Sequence, residues 1–127
     1  MKYLLDTHTF LWFIHGSGLL SPTAKSAIEN EENECFVSAA CFWEMAIKIS
    51  IKKLEIGLPF HALKAKMEDN MISYLPILFE DNLIVSTLPH HHNDPFDRLM
   101  ISQCIRDQLT FISIDEKIKP YNIQTLW

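Results

Sequence analysis

Basic residues are scarce, cysteines are few and odd in number, and no long apolar run occurs anywhere in the 127 residues of the chain. Each shortage excludes something. Eleven Lys and Arg against sixteen Asp and Glu leave a formal net charge of −5, which argues against a protein that grips nucleic acid through a broad basic surface. Three cysteines, Cys35, Cys41 and Cys104, with no CxxC spacing and in apolar surroundings, read as reduced core thiols rather than as a disulfide framework. The opening Met1-Lys2-Tyr3-Leu4-Leu5 meets Asp6 too early for a signal peptide, and the run Phe10 to Ile14, bracketed by His8 and His15, is far too short to span a bilayer. A soluble cytoplasmic protein with no membrane contact is therefore expected. No internal repeat, linker or low-complexity tract interrupts the chain, so a single domain, residues 1–127, is expected as well. A hydrophobic share of 48% with 21% charged residues is that of an ordinary globular chain and gives no reason to invoke disorder.

What is present is an alternation of short apolar runs and helical stretches. Lys2 to Leu5 reads as a strand ending at Asp6, and Thr9 to His15 as a short helix closed by Gly16. Ser21-Pro22 opens another helix, with Ser as N-cap and Pro at the first position, running to about Glu31. Cys35 to Val37 is a second strand, and Ser38 caps a helix predicted from Ala39 to Lys53, which Gly57 and Pro59 keep from continuing. Phe60 to Asn70 reads as a helix, Ile72 to Ile77 as a strand, and Phe79 to Leu88 as a helix stopped by Pro89. After the loop His90 to Asn93, Asp94-Pro95 starts a helix through Asp107, Phe111 to Ile114 forms a strand, and Ile123 to Leu126 a last one at an edge. Such alternation predicts an α/β fold, a mainly parallel central sheet flanked by helices.

Four separated carboxylates, Asp6, Glu44, Asp97 and Asp115, each follow a strand-like run or lie near the start of the helix after it, with Asp94 beside the third. In a parallel sheet those places share the carboxyl edge, where such folds put their sites. Several carboxylates brought close together stay ionised only if a cation neutralises them, so the pattern points to a hard metal and to phosphate-ester chemistry. Each acid also has a plainer explanation. Asp6 would serve as a helix N-cap, and Glu44, about 9 Å along its helix from the Ser38 cap, would pair with Lys48 at i,i+4 on the surface. Asp94 and Asp97 suit a helix start, where negative charge is favoured, and Asp115 could begin a turn. The run His90, His91 and His92 invites a zinc reading, but adjacent residues do not readily converge on one tetrahedral ion. A mobile loop able to touch phosphate is the stronger expectation there.

Four phrases in this order, Leu4-Leu5-Asp6-Thr7-His8, Trp43-Glu44-Met45-Ala46-Ile47-Lys48, His92-Asn93-Asp94-Pro95-Phe96-Asp97-Arg98-Leu99 and Ser113-Ile114-Asp115, resemble the PIN domain, and more narrowly the VapC-type ribonuclease toxins of bacterial toxin-antitoxin pairs. The resemblance covers essentially the whole chain. It implies that Asp6, Glu44, Asp97 and Asp115 are the acidic site, with Asp94 as a helper, and that the protein is a metal-dependent endoribonuclease. Lys52 stands where glycine often follows the second motif, and Cys104 where small residues are common after the third. The chemistry that joins resemblance and residues is hydrolysis of an RNA phosphodiester with one or two Mg²⁺ ions, Mn²⁺ being the alternative, held by the acids. Lys48 and Arg98 are possible contacts to the RNA backbone, although ion pairs with Glu44 and the helix-start acids compete for them. The resemblance further implies a VapB-type antitoxin whose tail covers the active-site groove, and a homodimer is the expected assembly. A basic tail would suit an acidic pocket, with Phe10, Trp12 and Phe13 offering an apolar seat for a partner helix or being buried in the core.

Two other functions fit parts of the sequence. An aspartate-dependent phosphatase also places an acid after its first strand, but wants a second acid two residues on, where this chain has His8. A non-catalytic RNA-binding or assembly module of the same fold would be expected to have lost some of the acids, and all are present.

Overall fold

The first strand, β1 (Lys2–Leu5), buries Tyr3, Leu4 and Leu5 in succession, the pattern of a strand covered on both faces. The computed structural model describes residues 1–127 and places β1 at the centre of a five-stranded, wholly parallel sheet. Its neighbours are β2 (Glu34–Ser38) and β4 (Thr110–Ile112); β3 (Ile72–Leu75) lies outside β2 and β5 (Thr125–Leu126) outside β4, giving the order β3-β2-β1-β4-β5. The chain thus builds outward on one side of β1, then crosses back to build on the other. The crevice at that reversal, between the carboxyl ends of β1 and β4, is where open α/β sheets bind ligands. Register fixes the level of that edge: Leu5 lies beside Val37 on one side and Ile112 on the other, so Asp6, Ser38 and Ser113 emerge abreast.

Six α-helices connect the strands: α1 (Thr7–His15), α2 (Pro22–Glu29), α3 (Ala39–Ser50), α4 (Ala62–Asp69), α5 (Phe79–Thr87) and α6 (Pro95–Asp107). Local chemistry sets their ends. Ser21 accepts from Ala24 N–H ahead of Pro22, and Gly16 closes α1 in the left-handed conformation at φ 62°, donating back to Trp12 and Phe13. The predicted helix to Lys53 ends sooner, at Ser50, because Lys52 turns left-handed at φ 59° before Gly57 or Pro59 is reached. That conformation accounts for the glycine expected at this place: only glycine adopts it without a Cβ clash. Phe10, Leu4, Leu5, Met45, Phe111 and Ile112, all fully buried, form the heart of one core together with Leu63, Met100, Ile101 and Ile118. Cys35, Cys41 and Cys104 lie in it as free thiols, as expected. Phe10 is therefore no seat for a partner; Trp12 and Phe13 are partly buried, with Trp12 edge-on to Trp127. No helix is long and apolar enough to cross a membrane.

Candidate active site

Asp6 does two jobs at once. It caps α1, its Oδ1 accepting from Thr7 N–H at 2.7 Å, and its Oδ2 accepts from the Ser113 hydroxyl at 2.7 Å across the β1–β4 crevice. Burial lifts its pKa above the ordinary carboxylate value, against the opposing hydrogen bonds from Ser113 and Thr7. The Thr7 hydroxyl turns the other way and donates to Glu44 Oε1 at 2.7 Å. Glu44 is not a surface residue: it is buried on α3, and its second oxygen accepts from Lys48 Nζ at 2.5 Å. The i,i+4 pair foreseen from the sequence is real, and points inward. Lys48 holds its proton more tightly than an ordinary lysine, through the hydrogen bond to Glu44 first and the charges of Asp94 and Asp97 after it.

Helix α6 runs back toward β4, so its start faces the same edge. Asp94 is its N-cap, Oδ1 accepting from Phe96 and Asp97 N–H at 2.9 and 3.1 Å. Asp97, one turn in, is the electrostatic centre. Its carboxyl is pushed up to about 8, by burial first and then by the charges of Asp6, Asp94, Glu44 and Asp115. Asp115 caps the 3₁₀ turn Glu116–Ile118 through Lys117 N–H, while its own N–H donates to Ser113 Oγ at 3.1 Å. Ser113 thus ties the end of β4 to Asp6 on one side and to Asp115 on the other. An open cleft of about 470 Å³, lined by no apolar residue, has Asp94, Asp97, Asp115, His92 and Lys117 among its walls. Asp6 and Glu44 are not in those walls; they lie buried.

The five acids share an edge but not a preformed ligand shell: no three His, Cys, Asp or Glu side chains are grouped so as to hold one ion. Their present partners explain this. Ser113 and Thr7 hold Asp6, Thr7 and Lys48 hold Glu44, and His92 Nε2 lies 3.3 Å from Asp97 Oδ2. The donor chemistry nevertheless fits a hard cation, all carboxylate and hydroxyl oxygen. Lys48 already stands as a cation among these acids.

One expectation is corrected. Arg98 reaches neither RNA nor the helix-start acids: it is buried, donating to the carbonyls of Leu88 and Pro89 and to the Tyr121 hydroxyl. The histidine loop brings His91 and His92 to the cleft wall, where His91 packs edge-on against Tyr121 at 4.7 Å between ring centres and His92 is bonded at both ring nitrogens. Tyr121 and Ser113 were not singled out by sequence reasoning. Only Ser113 had a signal, its place two residues before Asp115 in the fourth phrase.

Residues 3–123 match the family pattern described as the PIN domain. The chain belongs to the PIN domain family. Solved structures similar to this PIN domain include VapBC2 from Rickettsia felis bound to a DNA fragment from their promoter, with 14% identity, a TM-score of 0.72, and 99% of this chain and 98% of that one covered. FitAcB from Neisseria gonorrhoeae is similar at 14% identity and a TM-score of 0.66, over 98% of this chain and 96% of that one. FitAB bound to the IR36 DNA fragment follows at 15% and 0.65, covering 98% and 93%. At these identities the likeness is one of fold. No curated protein matches the sequence.

Proposed function

We propose that this PIN domain, spanning residues 1–127, is a metal-dependent endoribonuclease toxin that hydrolyses RNA phosphodiester bonds and is held in check by a VapB-type antitoxin. The observation that carries the reading is the gathering of acids from four separate phrases of the sequence at one edge: Asp6 and Asp115 meet on Ser113, Thr7 joins Asp6 to Glu44, and Asp97 shares a cleft with Asp115. PIN domains are generally nucleases, which agrees with an acidic edge of this kind. Asp6, Glu44 and Asp97, with Asp115 at the cleft side, would hold Mg²⁺, or Mn²⁺ in its place. Bound there, the ion supplies a water nucleophile of lowered pKa and stabilises charge on the phosphate. The chain's own residues prepare this. Ser113 and Thr7 fix Asp6 and Glu44 by one hydrogen bond to an oxygen, leaving each carboxylate lone pairs for a cation. Lys48 neutralises Glu44 until a metal takes that charge, and Lys117, which makes no ion pair and lines the cleft, is placed to meet a phosphate. Asp94 keeps the first turn of α6 in place by capping it.

The fold likeness to VapBC2 and FitAB supports a protein partner, and the acidic edge favours one with a basic tail. The phosphatase reading gains nothing: His8, where a second acid would stand, is exposed on α1. Labelled single-stranded RNA should be cut by the purified protein with Mg²⁺ or Mn²⁺, not in EDTA, and not by Asp97→Asn. Cleavage that survives EDTA would end the metal assignment, and full activity in Asp97→Asn would end that of the acid. A small phosphate monoester offered in parallel tests the phosphatase alternative.

A further inference from the structure

The hydroxyl of Tyr121 is surrounded by donors. His91 N–H lies 3.2 Å from it, His92 N–H 3.3 Å and Arg98 Nη1 3.1 Å. A phenol oxygen has two lone pairs and one proton, so those donors occupy its accepting side and the proton must go elsewhere. The remaining polar atom beside it is His92 Nδ1, at 2.8 Å. That nitrogen must then accept, which in a neutral imidazole puts the ring proton on Nε2, and Nε2 lies 3.3 Å from Asp97 Oδ2. The His92 side chain is well shielded, only 7% exposed, so water competes little for either nitrogen. Arg98 is itself fixed by the Leu88 and Pro89 carbonyls at the end of α5, which anchors the whole arrangement to the core.

From this geometry we infer that His92 is a positioning residue of the site: its ring, held at Nδ1 by the Tyr121 hydroxyl, presents Nε2–H to Asp97 and sets which way that carboxylate turns toward a cation. The inference rests on the nuclease reading only for what Asp97 binds. Ligating carboxylates depend on such outer partners, whose loss costs about 10–100-fold in metal affinity. It also gives His92 a task that neither zinc ligation nor phosphate contact would, since both ring nitrogens are engaged.

The test has two arms. In metal-free protein labelled with ¹⁵N-histidine, the His92 ring should show a protonated Nε2 and an unprotonated Nδ1, and Tyr121→Phe should mix the two tautomers. A protonated Nδ1 in the wild type overturns the inference. In the second arm, Mn²⁺ affinity is measured by calorimetry in proteins whose thermal unfolding is checked alongside. His92→Ala should bind about 10–100-fold more weakly, whereas His92→Gln, whose amide N–H can take the place of Nε2–H, should recover most of the loss. Wild-type affinity in His92→Ala overturns the inference, as does an equal deficit in His92→Gln with an unchanged melting temperature. A wild type that binds no Mn²⁺ sinks the nuclease reading instead, and the tautomer arm then decides His92 alone.

Discussion

The chain buries acids in two places, and the two are built in opposite ways. Asp81 on α5 is wholly buried, but it receives Leu78 N–H at 2.8 Å and Arg106 Nη1 at 2.5 Å, so its charge is met by a fixed cation and a helix start. Asp97 on α6 is also shielded, yet faces four other acids and the His92 ring. One acid is paired with a cation of the chain, and the other, lacking one, keeps its proton up to about 8. A protein tolerates the second arrangement where something from outside completes it.

Exchanging the two losses gives the largest effect. Asp97→Asn should lower RNA cleavage by at least about 10²-fold, the scale of removing one preorganised electrostatic group, while its metal-free form melts no lower than wild type. Asp81→Ala should do the reverse, costing about 3 kcal/mol by breaking the buried half of the Arg106 pairing, which leaves Arg106 with Asp107 alone, and leaving cleavage by the folded fraction unchanged. Urea denaturation beside a cleavage assay reads both, and a matching pattern in the two variants would erase the distinction. Asp115→Asn, at the cleft rim, should fall between wild type and Asp97→Asn in activity.

A basic antitoxin tail should tell the two regions apart as well. Affinity should weaken as salt rises and drop in Asp97→Asn, whereas in Asp81→Asn, measured where the protein is folded, it should not. Equal affinity for all three at every salt concentration would mean that the partner reads another surface.

Titration sharpens the contrast further. Because Asp97 sits near 8 when folded, against an ordinary value of 3.8, the folded state keeps a proton that the unfolded chain gives up. The stability this contributes is complete below about 4 and is lost as the pH rises through about 8. In EDTA the wild type should therefore weaken across that window, Asp97→Asn should weaken much less, and Mg²⁺ should restore the wild type at the alkaline end. Denaturant midpoints at several pH values measure it.

The smallest effect lies in the turn after α3. Lys52→Gly should gain about 1 kcal/mol or less, since the left-handed backbone at φ 59° penalises any Cβ while glycine gives back part of the gain as chain entropy. A loss of stability would show that the lysine stem packs usefully.

How far these regions could be read from the sequence follows the range of the interactions. Strand order along the chain, the caps Ser21, Ser38 and Asp94, and the acids themselves were legible, because alternation and capping act over a few residues. What escaped were bonds closed by the fold: Ser113 to Asp6, Thr7 to Glu44, and the Tyr121 hydroxyl under His92. A serine or tyrosine carries no local mark of a partner so distant. Arg98 was read as a surface cation for the same reason, since the carbonyls that bury it become available only where α5 meets α6.

The bond from Ser113 to Asp6 spans 107 positions. During synthesis, which proceeds at about 5–20 residues per second, the strand that begins the sheet must wait for the one that supplies its second neighbour on the other side. Until β4 has left the ribosome, Asp6 lacks Ser113, and the crevice has only one wall. A chain stopped before β4 thus carries Asp6 and Glu44 without the second wall of the crevice in which they would act.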